Sequence, residues 1–185
     1  MSTLRSRRNP ESRAADTLRA LELGDEAPID VGFIAEKHDA EVRIAALDAD
    51  LSGILIRDGQ RKVIAVAESH APVRQRYTIA HELGHLLMHP GRPYLAESNQ
   101  IVRIDRRGGG VPGFADQREE REANQFAAAL LMPPELVLKH WLDLDGVPSP
   151  STLRAMSSRF EVSALAMKYR LINLGLFSPD DSEDA

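Results

Sequence analysis

The segment His81-Glu82-Leu83-Gly84-His85 sets two imidazoles four residues apart with a carboxylate between them. On an α-helix, residues four apart differ by about 40° in azimuth and about 6 Å in height, so both rings can converge on one ion. Glu82 then lies beside them on the exposed edge, where it can accept a proton from an activated water without being a ligand. Zinc lowers the pKa of such a water to about 7, and the arrangement predicts a hydroxide directed at a carbonyl. The bare pattern would also suit a helix with two solvated or core histidines, so the surrounding residues decide its meaning.

A glycine inside a helix costs about 1 kcal/mol relative to alanine, and Gly84 therefore points to the close approach of another element. Segment 116–132 is the candidate, because Ala123, Ala127, Ala128 and Ala129 make it slim. It also carries acids. A hydrolytic zinc site needs a third protein ligand and one open position; with no cysteine in the chain, that ligand must be His, Asp or Glu. Glu119, Glu120 and Glu122 open this helix. Glu120 precedes Asn124 by four residues, so its carboxylate can reach the metal while the Asn124 amide orients a ligand imidazole. Glu120 is thus the expected ligand and Glu122 the alternative. His89, eight residues after His81, would lie about 12 Å from it along a straight helix, too far to share the ion. It can line the cleft or meet the last helix carbonyls. His70, in the loop before the helix, can also approach the site, whereas His38 and His140 show no role.

The elements that must position these residues are legible from pattern and punctuation. Residues 11–23 read as an amphipathic helix ended by Gly24, and a short helix runs from its expected cap, Asp30, through Ile34, Ala35 and Lys37. Val42 and Ile44 begin a strand. Residues 51–56 and 63–66 form a β-hairpin whose turn dipeptide is Asp58-Gly59. The motif helix spans 73–88 and is stopped by Pro90 and Gly91. Residues 90–116 are rich in Gly, Pro and Arg; only 100–104 has a strand pattern there, and Gly108-Gly109-Gly110 could be a lid or a passive connection. The second helix, 116–132, ends at Pro133-Pro134, and three short helices follow at 135–142, 152–160 and 163–174.

With 185 residues, 43% of them apolar, the chain can bury one real core. Lack of cysteine excludes disulfides, thiolate metal sites and a cysteine nucleophile. A net charge of -5 argues against broad phosphate-backbone binding. Arg5, Arg7 and Arg8 are not followed by an apolar stretch of signal-peptide length, and no run approaches the roughly 20 apolar residues of a membrane span. A cytoplasmic protein without membrane association is expected.

Two separated motifs, Tyr77-Thr78-Ile79-Ala80-His81-Glu82-Leu83-Gly84-His85-Leu86-Leu87-Met88-His89 and Glu120-Arg121-Glu122-Ala123-Asn124-Gln125-Phe126-Ala127-Ala128-Ala129-Leu130-Leu131-Met132-Pro133, resemble the ImmA/IrrE family of metallopeptidases. The likeness extends upstream through Pro28-Ile29-Asp30-Val31, Ser52-Gly53 and Val63-Ile64-Ala65-Val66, and downstream to Phe160-Glu161-Val162-Ser163 and Arg170-Leu171. It covers roughly residues 14–176. The resemblance implies an α+β, zincin-like fold: a small twisted sheet, the motif helix, a second ligand-bearing helix and a C-terminal helical extension. It implies a gluzincin-like site holding one Zn2+ per chain on His81, His85 and Glu120, with Glu82 as general base. It also implies a protein substrate, a helix-turn-helix transcriptional repressor, in a bacterial or phage regulatory switch. The organisation expected is a flexible leader (1–13), a zinc metallopeptidase core (14–135), a helical extension packed on it (136–177) and a disordered acidic tail (178–185).

Other readings make distinct demands. Strand 63–66 leads into the motif helix, so either its edge could hold an extended peptide or it is an ordinary paired strand. Helices 152–160 and 163–174 could form a DNA-binding helix-turn-helix, but five Lys or Arg against three acids in 136–177 is a weak footprint, and Phe160, Val162, Leu165, Met167 and Leu171 are more simply the core of a helical cap. A protein that sequesters a repressor without cutting it would have no need of Glu82, because a structural zinc site fills its fourth position with protein.

Overall fold

Local signals and long-range packing divide the work of placing the elements. The structure, a computed structural model, describes residues 9–58, 61–90, 94–98 and 117–178. In chain order these form α1 (Pro10–Ala20), α2 (Val31–Lys37), β1 (Ala40–Ala45), β2 (Leu51–Asp58), β3 (Arg61–Ala67), α3 (Pro72–Met88), β4 (Tyr94–Ser98), α4 (Gln117–Leu131), α5 (Pro134–Asp143), α6 (Pro150–Phe160) and α7 (Ala164–Asn173). Leader residues 1–8, the strand pattern at 100–104, the glycines at 108–110 and tail residues 179–185 lie outside the described residues.

Caps set several helix ends. The Asp30 carboxylate accepts the Phe33 N–H at 2.9 Å and opens α2, while Ser149 and Ser163 accept the Thr152 and Ala166 N–H groups and open α6 and α7. The first helix ends earlier than its composition suggests. Glu22, two residues before Gly24, is the first residue after it to take the left-handed conformation (φ 55°), and the Leu23 N–H closes back on the Leu18 carbonyl at 2.9 Å. That six-residue closure satisfies the final carbonyls and ends the helix at Ala20. Between α6 and α7 a glutamate again does what glycine usually does, with Glu161 at φ 50°.

The sheet has the order β1-β3-β2-β4, with β1 parallel to β3 and the other pairs antiparallel. Asp58 pairs with Arg61, so it is a strand residue rather than part of the turn. Every residue from Val63 to Ala67 is buried on both sides of the pleat, as a central strand requires. Of the two readings of strand 63–66, the paired one holds and the free edge does not: β1 and β2 occupy both its sides. Among the described residues, the sheet's edges are β1 and β4. Strand β4 was not legible, since Tyr94-Leu95-Ala96-Glu97-Ser98 has few strand formers and owes its conformation to pairing with β2.

Helix α3 packs on β2 and β3, α4 packs along α3, and α1 covers α4. The result is a mixed α+β fold in which α3 lies between the sheet and α4. Phe126, Leu130 and Leu131 of α4 share one core with Ile79 and Leu83 of α3 and Leu55, Ile64 and Val66 of the sheet. The C-terminal helices join that core through Met156, Phe160, Val162, Met167 and Leu171. Leu165, expected there too, is 60% exposed, because it falls on the opposite side of α7 from Met167 and Leu171. Arg170 is buried and anchors α7. Its guanidinium donates to the Met132 carbonyl at 2.9 Å and to the Glu11 carboxylate of α1 at 3.0 Å, which satisfies a charge that would otherwise be costly to bury.

Candidate metal centre

The 3.6-residue period of α3 brings His81 and His85 to one buried face, with 1% and 2% of their surfaces exposed. Their Nε2 atoms are 3.0 Å apart. Helix α4 contributes Glu120, whose Oε2 is 3.2 Å from His81 Nε2 and whose Oε1 is 3.4 Å from His85 Nε2. The three groups offer ligand atoms that all lie within 4.8 Å of one another, the only such cluster among the described residues. Tetrahedral zinc with bonds of about 2.0–2.1 Å spaces neighbouring donors about 3.3 Å apart, so this donor set fits the ion in both type and spacing.

Two close approaches make the convergence. A Cβ on Gly84 would lie 3.0 Å from Ala123 Cα and 3.2 Å from the Ala123 carbonyl oxygen, so only glycine lets α4 come this near. The motif's glycine and the alanines of α4 are two halves of one contact. On the other side of α3, a Cβ on Gly53 would lie 2.4 Å from Thr78 Cγ2 and 3.2 Å from Glu82 Oε1. Strand β2 therefore covers Glu82, which is fully buried rather than on an exposed edge. The positive field of Arg57 acts on the same carboxylate.

Hydrogen bonds orient the candidate ligands. Asn124 Oδ1 lies 3.0 Å from His81 Nδ1 and also accepts the Tyr77 hydroxyl at 3.0 Å. An oxygen can only accept, so His81 carries its proton on Nδ1 and turns the Nε2 lone pair toward the cluster. Arg57 donates to the carbonyls of His85 at 2.7 Å and His89 at 3.0 Å, closing the end of α3 that holds the second imidazole.

The electrostatics suit a cation. Burial pushes His85 below the ordinary imidazole value, against the opposing effect of Glu120, and so favours the neutral ring that can bind a metal. Burial alone would raise the Glu120 carboxyl, but once the metal-free cluster is acidified and both imidazoles carry a second proton, hydrogen bonds from His81 and His85 and their positive fields outweigh it and bring it down to about 2.

The remaining candidates fall elsewhere. Glu122 pairs with Arg118 at 2.7 Å and faces His89 at 3.6 Å, so neither it nor His89 joins the cluster, although the His89 ring lies 5.6 Å from that of His85. His70 accepts from Arg74 at 3.2 Å and is not brought to the cluster. His140 sits edge-on to Phe160. Three contributors were not legible as such: Tyr77, Gly53 and Arg57. Tyr77 stands four residues before His81 and Gly53 interrupts an apolar strand, signals that mark a face and a close approach without naming the partner.

The match to known proteins covers both helices of the site. The description of the IrrE N-terminal-like domain fits residues 35–172, well over half the chain. The radiation response metalloprotease IrrE of Deinococcus radiodurans is 29% identical over 140 residues, 74% of this chain and 40% of that protein. Its namesake in Deinococcus deserti is 33% identical over 114 residues, 62% of this chain and 37% of that protein. The chain thus spans about two fifths of the length of these curated relatives. A Mycobacterium tuberculosis transcriptional regulator of known structure shares the fold, with a TM-score of 0.54 at 16% identity over 88% of this chain and 46% of that one. With both motifs inside the matched segment and their side chains assembled into one cluster that could hold a metal ion, the chain belongs to the ImmA/IrrE family of metallopeptidases.

Proposed function

We propose that this chain is a zinc-dependent endopeptidase with a zincin-like core, in which His81, His85 and Glu120 hold one Zn2+ and Glu82 is the general base. The observation that carries this reading is the convergence of two imidazole Nε2 atoms and a carboxylate from a second helix within 4.8 Å, with a buried glutamate next in sequence to the first imidazole. Zinc at this position supplies Lewis-acid activation of water near neutral pH and polarises the scissile carbonyl. Glu82 takes the proton of the attacking water and delivers it to the departing amine, so one carboxylate serves both steps. Asn124 and Tyr77 hold His81 in the tautomer that presents Nε2. Arg57 keeps the end of α3 closed and favours the charged form of Glu82.

The substrate peptide lies along β4, which pairs on one side only among the described residues. Its Glu97 is in register with Gly53, the residue whose missing Cβ leaves room for Thr78 and Glu82, so a strand added there runs beside the part of the sheet that covers the general base. Family resemblance points to a helix-turn-helix transcriptional repressor as that substrate, acting in a cytoplasmic regulatory switch. Residues 14–135 form the catalytic core, and 136–177 are a helical extension held by Arg170. No helix among the described residues is long and apolar enough to cross a membrane.

The substrate assignment is tested by incubating the zinc-loaded protein with the helix-turn-helix regulator encoded beside its gene, with and without chelator, and weighing the products by mass spectrometry. Two fragments whose masses sum to the regulator plus water, absent with chelator, are expected. An intact regulator under both conditions would remove it as the substrate.

A further inference from the structure

Between the N-terminal half of α3 and the start of α7 lies a cavity of about 370 Å3, lined by Val73, Arg74, Tyr77, Thr78, Leu165 and Ala166 among others. Its size is within the range of small-ligand pockets. Leu165 is 60% exposed and Val73 37% exposed at its walls, so two apolar side chains that could have been polar at no cost to the core are left facing solvent together. Three of the polar side chains around it are held by hydrogen bonds of their own. The Tyr77 hydroxyl donates to Asn124 at 3.0 Å, Ser163 Oγ accepts the Ala166 N–H at 3.1 Å, and Arg74 donates to Ser52 Oγ at 2.9 Å and His70 Nδ1 at 3.2 Å. An apolar occupant would cover Leu165, Val73 and Ala166 and release the water that faces them.

The cavity lies one helical turn from the metal centre. Tyr77 and Thr78 stand one helical turn, about 6 Å, before His81 and Glu82. Tyr77 touches the asparagine that orients His81, and Thr78 packs against the Gly53 position beside Glu82. An extended peptide advances about 3.3 Å per residue, so a side chain two positions from the scissile bond covers that distance.

We propose that this cavity receives one large apolar side chain of the substrate, Leu, Ile, Met or Phe, from a position within two residues of the scissile bond, and so sets the cleavage preference. The proposal rests on the peptidase reading, and the test separates the two. In the first arm, the zinc-loaded protein digests a random peptide library, and cut sites are read by mass spectrometry. One position within two residues of the cut should be enriched in large apolar residues, and replacing that residue by Ser should lower kcat/KM on the order of tenfold or more. Filling the cavity by Ala166→Phe, or from the other wall by Val73→Trp, should shift the preference to Gly, Ala or Ser while cleavage continues. Neither residue belongs to the catalytic machinery, and two variants from different helices guard against one failing to fold.

The second arm needs no turnover. Methyl NMR of the same protein follows Val73, Leu165 and Ala166 during titration with N-acetyl-leucinamide and with N-acetyl-serinamide. Saturable shifts at these methyls with the first probe alone, lost in both filled variants, are expected. Cleavage without an apolar preference, a preference that neither variant changes, or no methyl shift with leucinamide each overturns the pocket assignment and leaves the peptidase reading intact. Methyl shifts as expected with no peptide cut by the zinc-loaded protein overturn the peptidase reading instead.

Discussion

Replacing Gly84 by alanine pits helix propensity against packing. On an isolated helix the change would stabilise by about 1 kcal/mol. Here the new methyl would meet Ala123 Cα at 3.0 Å and the Ala123 carbonyl oxygen and Phe126 Cδ1 at 3.2 Å. Two of these three atoms are backbone, which cannot turn aside as a flexible side chain does, so α4 must move by a few tenths of an ångström. Overpacking of this kind costs about 1–3 kcal/mol. The net change in the metal-free protein is then a loss of about 0–2 kcal/mol. At 2–4 °C per kcal/mol for a domain of this size, Tm falls by up to about 8 °C. The effect on the metal should be larger, because Glu120 and Asn124 flank Ala123 on the helix that is pushed away. Donor positions are tolerated to within about 0.2 Å, and disturbing a partner that orients a ligand costs about 10–100-fold in affinity. The assay pairs urea unfolding of the metal-free protein with zinc titration against a chromophoric chelator. A Gly84→Ala protein about 1 kcal/mol more stable than the original, with unchanged zinc affinity, would refute the close-approach argument.

The same centre carries three further predictions. Glu120→Ala should abolish stoichiometric zinc binding measured by atomic absorption after dialysis, while Glu122→Ala retains it; the opposite pattern would transfer the ligand role to Glu122. Asn124→Ala should weaken zinc binding about 10–100-fold by releasing the His81 tautomer, and an unchanged dissociation constant in the chelator competition would deny that role. Stability of the metal-free protein should decline as pH drops through 6.5. Burial holds His85, and also His38, below the ordinary value of 6.5, so the unfolded chain binds protons first in that window. Glu120 acts further down: its carboxyl is at about 2 against an ordinary 4.5, so its contribution is present above 4.5 and fades between there and 2. Urea midpoints that stay level or rise from pH 7 to pH 5 would contradict this sign.

Local chemistry carried the sequence reading a long way in some places and failed in others for an identifiable reason. Gly84 implied a close neighbour and the alanines of 116–132 supplied it, because a helix interior gives glycine few other justifications and a slim helix face is visible in four residues. Asp30 was legible as a cap for a similar reason: the carboxylate and its target N–H lie within three residues of each other. Glu22 ends α1 where Gly24 was the better candidate by type, since the closure depends on how Leu23 packs back on Leu18. Whether β3 has a free edge, whether Glu82 is exposed and whether Leu165 faces the core all depend on what lies alongside. Those are properties of pairing register and helix packing over tens of residues, and neither periodicity nor a motif encodes them. Strand β4 and the orienting roles of Tyr77 and Arg57 belong to the same class, because each is set by a partner from another element.

The central claim is that Glu82 moves the proton while the ligand set holds the ion, and Glu82→Gln separates those duties. The variant keeps the side chain's shape under β2 and removes its basicity. Zinc content and cleavage of a peptide substrate of the original protein should be measured on the same preparation. One zinc per chain and a kcat reduced by about 10²–10⁴-fold, the usual span of a general base, are expected. Full zinc occupancy with undiminished cleavage would contradict it.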